Sequence, residues 1–399
     1  MTVAFLNYLF YPVLSRLLSP SDFGDIQALF SLIAQSGIIL GAFSIIAVNI
    51  ISNTLDENER DVVISKLQKI SFYIIGIIFI ILLLYIGKLK YFFNFSTFYP
   101  LFGLAIILPL STLITFRNAY LQGTGNFLHL SISGIVASLS KLILAVVFIL
   151  VGLSVFGATL GIIFSYVLVF IYLFYQTRNF LHLNKKTDIH ILEKGRINKE
   201  LKYGLLVFFA TGLVTLFYTS DILIIKHYFS AIDAGLYAGV SVVAKILFFV
   251  IAPASTVLFS SVKIARSFKE NLLALRKSLI ISIILGLGGM ITFYFFSSEI
   301  VSITVGSKYA IFAYLLPKIG LIMLLTAIIN VFVLYFLALR RFLVMAVSLL
   351  GMSFIGFMLL FKHNCIDTIL NNFIYSLVFI LILLLAIYAK DYFNHRSSL

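Results

Sequence analysis

About twelve apolar stretches of membrane-spanning length fill almost all of the 399 residues, leaving little else from which a fold could be built. A spanning helix needs ~20 mainly apolar residues. The stretches lie near 1–15, 26–52, 70–87, 98–116, 128–152, 156–176, 203–225, 236–262, 278–297, 310–338, 342–361 and 372–389. In hydrocarbon each backbone N–H and C=O must be paired internally, so only helices and closed barrels can cross. The runs are continuous rather than alternating, which excludes a barrel. The expected fold is therefore an all-α polytopic membrane protein with about twelve transmembrane helices. A content of 62% hydrophobic and 11% charged residues, with mean hydropathy +1.12, agrees. The first stretch is the shortest, with fifteen residues before Arg16 and Pro12 inside them. Either this helix is short and tilted, or the true start lies upstream of Met1. Without a basic leading segment and a small-residue cleavage site, it reads as a retained helix rather than a signal peptide.

The basic residues set the orientation. With the N-terminus inside, the cytoplasmic loops collect 20 of the 29 Lys and Arg, and the outer loops collect Arg16, Lys88, Lys90, Lys226, Lys308 and Lys362. Such an asymmetry follows the positive-inside rule and places both termini in the cytoplasm. It also accounts for the +14 net charge without nucleic acid, because the cations are scattered over loops instead of gathered on one face. A single cysteine, Cys365, excludes a disulfide framework. No pair of histidines has metal-ligand spacing on a helix, so no metal site is expected.

The longest polar interval, 177–202, separates six spans from six. It defines an N-terminal lobe at 1–176, an inter-lobe cytoplasmic loop at 177–202 and a C-terminal lobe at 203–399. The lobes echo one another. Ser19-Pro20-Ser21-Asp22-Phe23-Gly24 follows the first span, and Ser230-Ala231-Ile232-Asp233-Ala234-Gly235 follows the seventh, an offset of 211 residues. In each, Ser or Asp can cap the next helix and Gly permits the turn. With an even number of spans per lobe the repeats run parallel, a scaffold suited to alternating access. Pro109, Pro253 and Pro317 fall within spans as candidate bends. Pro109 and Pro317 occupy corresponding helices of the two lobes.

Arg16-Leu17-Leu18-Ser19-Pro20-Ser21-Asp22-Phe23-Gly24 resembles the signature turn of the Wzx-like oligosaccharide flippases, a polysaccharide export family. Its superfamily also holds multidrug/toxin extruders and lipid II flippases. Tyr120-Leu121-Gln122-Gly123-Thr124-Gly125-Asn126-Phe127 is similar to the family's short amphipathic connection between spans four and five. Asp221 followed by Gly235-Leu236-Tyr237-Ala238 is similar to its span seven–eight region. The resemblance covers essentially the whole chain. It implies a transporter in the cytoplasmic membrane that moves polyprenyl-diphosphate-linked sugar repeat units to the outer leaflet. Its partners would be that lipid-linked oligosaccharide, membrane lipids, and the polymerase and assembly proteins of a surface polysaccharide.

Four charges stand inside spans: Lys141, Asp221, Lys245 and Lys318. Each costs roughly 2.5–3.5 kcal/mol on insertion scales, so such groups tend to line an interior cavity. Lysines there would neutralise a diphosphate. The bland reading is an ion pair, Asp221 with Lys245 or Lys318, or lysines that snorkel to headgroups. Arg16 and Arg117, at span ends, are candidate phosphate contacts through the guanidinium fork or simple interfacial anchors. Asn118 and Asn330 read as helix glue, with contact to sugar as the other option. In superfamily relatives an acidic residue on span seven helps to bind a coupling cation, which makes Asp221 the candidate for H⁺ or Na⁺. The stretch 342–361 has no acidic residue to complete a sodium site. No cofactor is expected. Two other functions stay open. A cation-coupled extruder on the same fold should line its cavity with carboxylates, where this chain has three lysines against one aspartate. A membrane-embedded sugar-transfer enzyme should carry carboxylates or arginines in a sizeable outer loop, and the outer loops hold only scattered charges such as Asp22, Asp233, Glu299 and Asp367. No glycine-rich nucleotide loop is present, which excludes ATP hydrolysis.

Overall fold

The computed structural model describes residues 2–53, 57–178, 192–263, 266–361 and 363–396. Half of the expected inter-lobe loop, 179–191, lies outside these residues. Among the described residues every regular element is a helix. In chain order these are α1 (Thr2–Leu17), α2 (Pro20–Asn53), α3 (Glu57–Phe92), α4 (Tyr99–Gly123), α5 (Phe127–Phe148), α6 (Ser154–Gln176), α7 (Leu192–Tyr228), α8 (Ala231–Ser261), α9 (Phe268–Phe295), α10 (Ser297–Thr304), α11 (Leu316–Ala338), α12 (Leu343–Phe361) and α13 (Ile366–Arg396). Twelve of them answer to the twelve apolar stretches. The eight-residue α10 is additional. Among the described residues nine helical segments are long and apolar enough to span a membrane, one of them (127–176) holding both α5 and α6, and α1 and α12 are shorter apolar helices. The chain is a multi-pass membrane protein. Its exposed side chains agree, since Leu84, Leu150, Ile284 and Leu360 are exposed apolar groups suited to acyl chains.

The described chain divides into two compact units, Met1–Leu205 with Ser230–Gly235, and Leu206–Phe229 with Leu236–Leu399. In the first unit α5 and α6 form a tight hairpin. A wide turn at Ile149–Leu153 reverses the chain, with Gly152 at φ +94°. Gly157 and Gly161, four residues apart, then let α6 approach α5: a Cβ on Gly161 would stand 2.4 Å from the backbone nitrogen of Ala145. Small residues at that spacing are how membrane helices pack closely without a hydrophobic driving force.

The repeated turns are true helix caps. Ser19 Oγ accepts the backbone N–H of Asp22 (3.2 Å), and Ser230 Oγ accepts that of Asp233 (3.1 Å). Each Asp sits in the first turn of its helix, at the positive end of the dipole. Both turns belong to the first unit and touch there. A Cβ on Gly24 would lie 2.9 Å from Cα of Gly235, and one on Gly235 would fall 1.8 Å from the Pro20 carbonyl oxygen.

In the second unit α11 is central, buried on nearly every side and packed chiefly on α9 and α13. Its sequence is apolar all round, as a helix enclosed by others requires. Two expectations need correction here. Pro317 does not bend a span, because it occupies the first turn of α11, where a missing N–H costs nothing. A tighter helical segment, Ser307–Leu315, takes up the start of the 310–338 stretch, so Lys318 stands at the beginning of α11 while remaining inside the apolar segment Ser307–Ala338. Pro109 and Pro253 do lie inside helices, α4 and α8. The segment 120–127 is not a separate amphipathic connection: α4 runs on through Gly123, and only 124–126 link it to α5.

Candidate functional site

The intramembrane charges fall into separate surroundings in the two units. In the first, Lys141 projects from α5 and its Nζ donates to Asn7 Oδ1 on α1 at 2.8 Å. The ammonium lies 4.8 Å from the ring centroid of Phe10 and 5.2 Å from that of Phe30, so α1 and α2 supply two aromatic faces to it. The two rings meet edge to face, 5.4 Å apart. Among the described residues no carboxylate pairs with Lys141. Every partner it has among the described residues is neutral.

The same unit holds a cleft of about 300 Å³ between α2, α4 and α6. Gly37 and Gly41 of α2 line one side, with open space where a Cβ would be. Ser111, Thr115, Asn118 and Tyr166 line the other with hydroxyl and amide groups. Asn118 Oδ1 accepts from Ser133 Oγ (3.2 Å) and so ties α4 to α5. Asp25, fully buried in the first turns of α2, accepts the backbone N–H of Ser96 at 3.0 Å. Sequence reasoning did not single out Asp25 or this cleft. The Gly37-x-x-x-Gly41 spacing followed by Ser44 was the one available signal.

In the second unit Asp221, on α7, is 1% exposed. Its Oδ1 accepts from Lys245 Nζ at 3.2 Å, and its Oδ2 accepts from Tyr237 Oη (3.0 Å) and Ser241 Oγ (2.5 Å). Tyr237, Ser241 and Lys245 recur every four residues on α8, which puts all three on one helix face toward the carboxylate. The ion pair is one of the two expected alternatives for Asp221. Tyr237 and Ser241 were not foreseen as its partners, although the four-residue spacing carried that information. The carboxylate is fully engaged and its charge balanced by Lys245, which is 11% exposed.

The remaining candidates stand apart from these two places. Lys318 pairs with Asp367, at the start of α13, at 2.5 Å, and both side chains are substantially exposed. Arg117 donates from Nη1 to Thr177 Oγ1, and its guanidinium stacks over Phe174 (4.9 Å) and Phe170 (5.5 Å) of α6. This geometry pins the end of α4 to α6. Arg16 is exposed in the last turn of α1.

Solved structures share this architecture. An inward-facing multidrug resistance MATE family transporter of the MOP superfamily superposes with a TM-score of 0.69 at 13% identity, over 97% of this chain and 95% of that one. The lipid II flippase MurJ, in an inward closed conformation, superposes with a TM-score of 0.68 at 15% identity, over 98% and 92%. At these identities the likeness is one of fold. None of the curated proteins matches the chain in sequence. The sequence profile of the polysaccharide biosynthesis protein family matches residues 1–261 of the 399. The match covers more than half of the chain, and this chain belongs to the polysaccharide biosynthesis protein family.

Proposed function

We propose that the chain is a flippase that carries polyprenyl-diphosphate-linked oligosaccharide across the bacterial cytoplasmic membrane by alternating access. Its termini lie in the cytoplasm, and the product passes to the polymerase and assembly proteins of a surface polysaccharide. The single observation that carries this reading is Lys141. A cation kept among a neutral amide and two ring faces attracts an anion. A diphosphate leaving the headgroup region needs such a charge. In the cleft of the same unit Ser111 and Thr115 donate to carbonyls of their own helix (both 2.7 Å), and their oxygens, with the Asn118 amide and Tyr166 hydroxyl, add polar groups suited to sugar hydroxyls. Lys141 is thus the proposed primary phosphate contact, with Arg16 at the end of α1 as an outlying one. Arg117 and Lys318 have helix-fastening partners and are assigned secondary contacts with the substrate. No cofactor takes part and no bond is broken, so the chain is a carrier and not an enzyme.

A coupling H⁺ or Na⁺ would act at Asp221, where it would compete with Lys245 for the carboxylate. Release of Lys245 would then leave an unpaired ammonium within the second unit. The alternative extruder of organic cations is less favoured, because Asp221 is already neutralised by Lys245.

Deletion of the gene tests the reading. Lipid-linked repeat units should accumulate on the cytoplasmic leaflet, and wild type and Lys141→Arg should relieve this while Lys141→Ala does not. Normal surface polysaccharide in the deletion strain would count against the proposal.

A further inference from the structure

The second unit carries a groove that the transport reading does not use. It runs between α8 and α9 and encloses about 730 Å³. Helix α9 packs mainly on α11, and its tie to α8 here is a hydrogen bond from Ser278 Oγ to the Ala254 carbonyl (3.0 Å), one residue beyond Pro253. The walls are apolar. Val250, Val257, Leu273 and Ile281 are each about half exposed or more. The hydroxyls in the groove are satisfied locally, Ser278 by Ala254 and Ser261 by the Val257 carbonyl (2.8 Å). Nothing along the walls calls for a polar occupant such as a sugar.

Basic groups interrupt these walls: Arg266 lines one end, and Lys277 stands farther along α9, between Leu273 and Ile281, and both are exposed. Arg266 Nη1 donates to the Ser261 carbonyl (2.6 Å), which directs the guanidinium over the end of α8. Glu270 also lines this end, but its Oε2 is held by the backbone N–H and hydroxyl of Ser267 (both 3.0 Å) in the capping box that starts α9. Lys263, Lys269 and Arg276 stand exposed close by in sequence, so the surroundings are strongly basic.

We infer that this groove is a binding site for one anionic phospholipid. An acyl chain lies along Val250, Val257 and Ile281, and the phosphate meets Arg266 and Lys277. The volume falls in the ~300–1,000 Å³ range of small-ligand sites. Basic pockets between spanning helices recognise anionic head groups through charge, and apolar walls hold the tails. The inference stands whether or not the chain moves a lipid-linked sugar, because none of these residues belongs to the proposed substrate site.

The test is native mass spectrometry of the delipidated full-length protein, titrated with phosphatidylglycerol or phosphatidylcholine of identical chains. Wild type should retain one phosphatidylglycerol at a several-fold lower concentration than phosphatidylcholine. Arg266→Gln with Lys277→Gln should abolish that preference, and Arg266→Lys with Lys277→Arg should keep it. Ala274→Phe, which fills the groove, should weaken retention of both lipids. Melting curves of each variant separate loss of the site from loss of the fold. Lys141→Ala should keep the preference intact, so failure here and failure of the transport reading are distinguishable. Equal retention of both lipids by wild type, or an unaltered preference in the double glutamine variant, would overturn the inference. So would stoichiometric displacement of phosphatidylglycerol by polyprenyl phosphate, which would make the groove a seat for the substrate's tail.

Discussion

At the scale of the residue, Lys141 and Lys245, both within helices, differ in what surrounds them. Lys245 is balanced by Asp221, and breaking that pair should leave a buried charge with nothing opposite. Asp221→Asn is expected to cost about 3–5 kcal/mol, the usual penalty for removing one member of a buried pair. Asp221→Asn with Lys245→Met should recover much of the loss, read as thermal unfolding in detergent. Lys318 and Asp367 make a contrast. Their exposed pair is expected to contribute about 0–1 kcal/mol, so Lys318→Ala should barely move the same melting curve. Lys141 has no counter-charge to strand, and its replacement by Ala should spare stability while stopping transport. The presence of charges in the spans was legible in the sequence, as was the option of an Asp221–Lys245 pair. The aromatic faces on Lys141 were not, because Phe10 and Phe30 lie more than a hundred residues away and no local period links them to α5.

At the scale of the element, close helix approach rests on a few glycines. Gly161→Leu would drive a side chain into the backbone of Ala145 in α5. Overpacking of this kind typically costs about 1–3 kcal/mol, and here the obstacle is main chain and not a yielding side chain. Gly161→Leu should therefore melt lower than Gly288→Leu, where a Cβ meets open space. The helices themselves were legible from apolar length alone. Two features were not. The segment Ser307–Leu315 and the short α10 sit inside or beside a stretch that reads as one span, and hydropathy does not distinguish a tight helical turn from the helix that follows. Pro317 illustrates the result: a proline inside an apolar run reads as a bend until the helix start is known to be Leu316.

At the scale of the whole molecule, topology and charge sign carry the functional reading. Cys365 is the chain's one cysteine and is exposed between α12 and α13, in a loop that the proposed orientation puts outside. Its Sγ lies 3.5 Å from Thr368 Oγ1, and that hydroxyl holds the thiol below its usual pKa by stabilising the thiolate. A membrane-impermeant maleimide should label Cys365 in intact cells. The labelling rate should rise with pH as the thiol ionises, and Thr368→Val should shift that rise to higher pH. Labelling only after the cells are opened would reverse the assigned orientation. The repeated turn was legible from Ser19–Gly24 and Ser230–Gly235, and both serines do cap their helices. That the two turns meet at Gly24 and Gly235 was not, since no pattern within either turn announces its neighbour.

The most direct measurement is translocation in proteoliposomes that carry a polyprenyl-diphosphate-linked oligosaccharide, followed by the access of an external glycosidase to the sugar. Wild type and Lys141→Arg should bring the inner-leaflet pool within reach of the glycosidase, and Lys141→Ala should leave it protected. If Lys141→Ala moved the sugar as fast as wild type, or wild type left the pool untouched while expelling organic cations, the account would be contradicted.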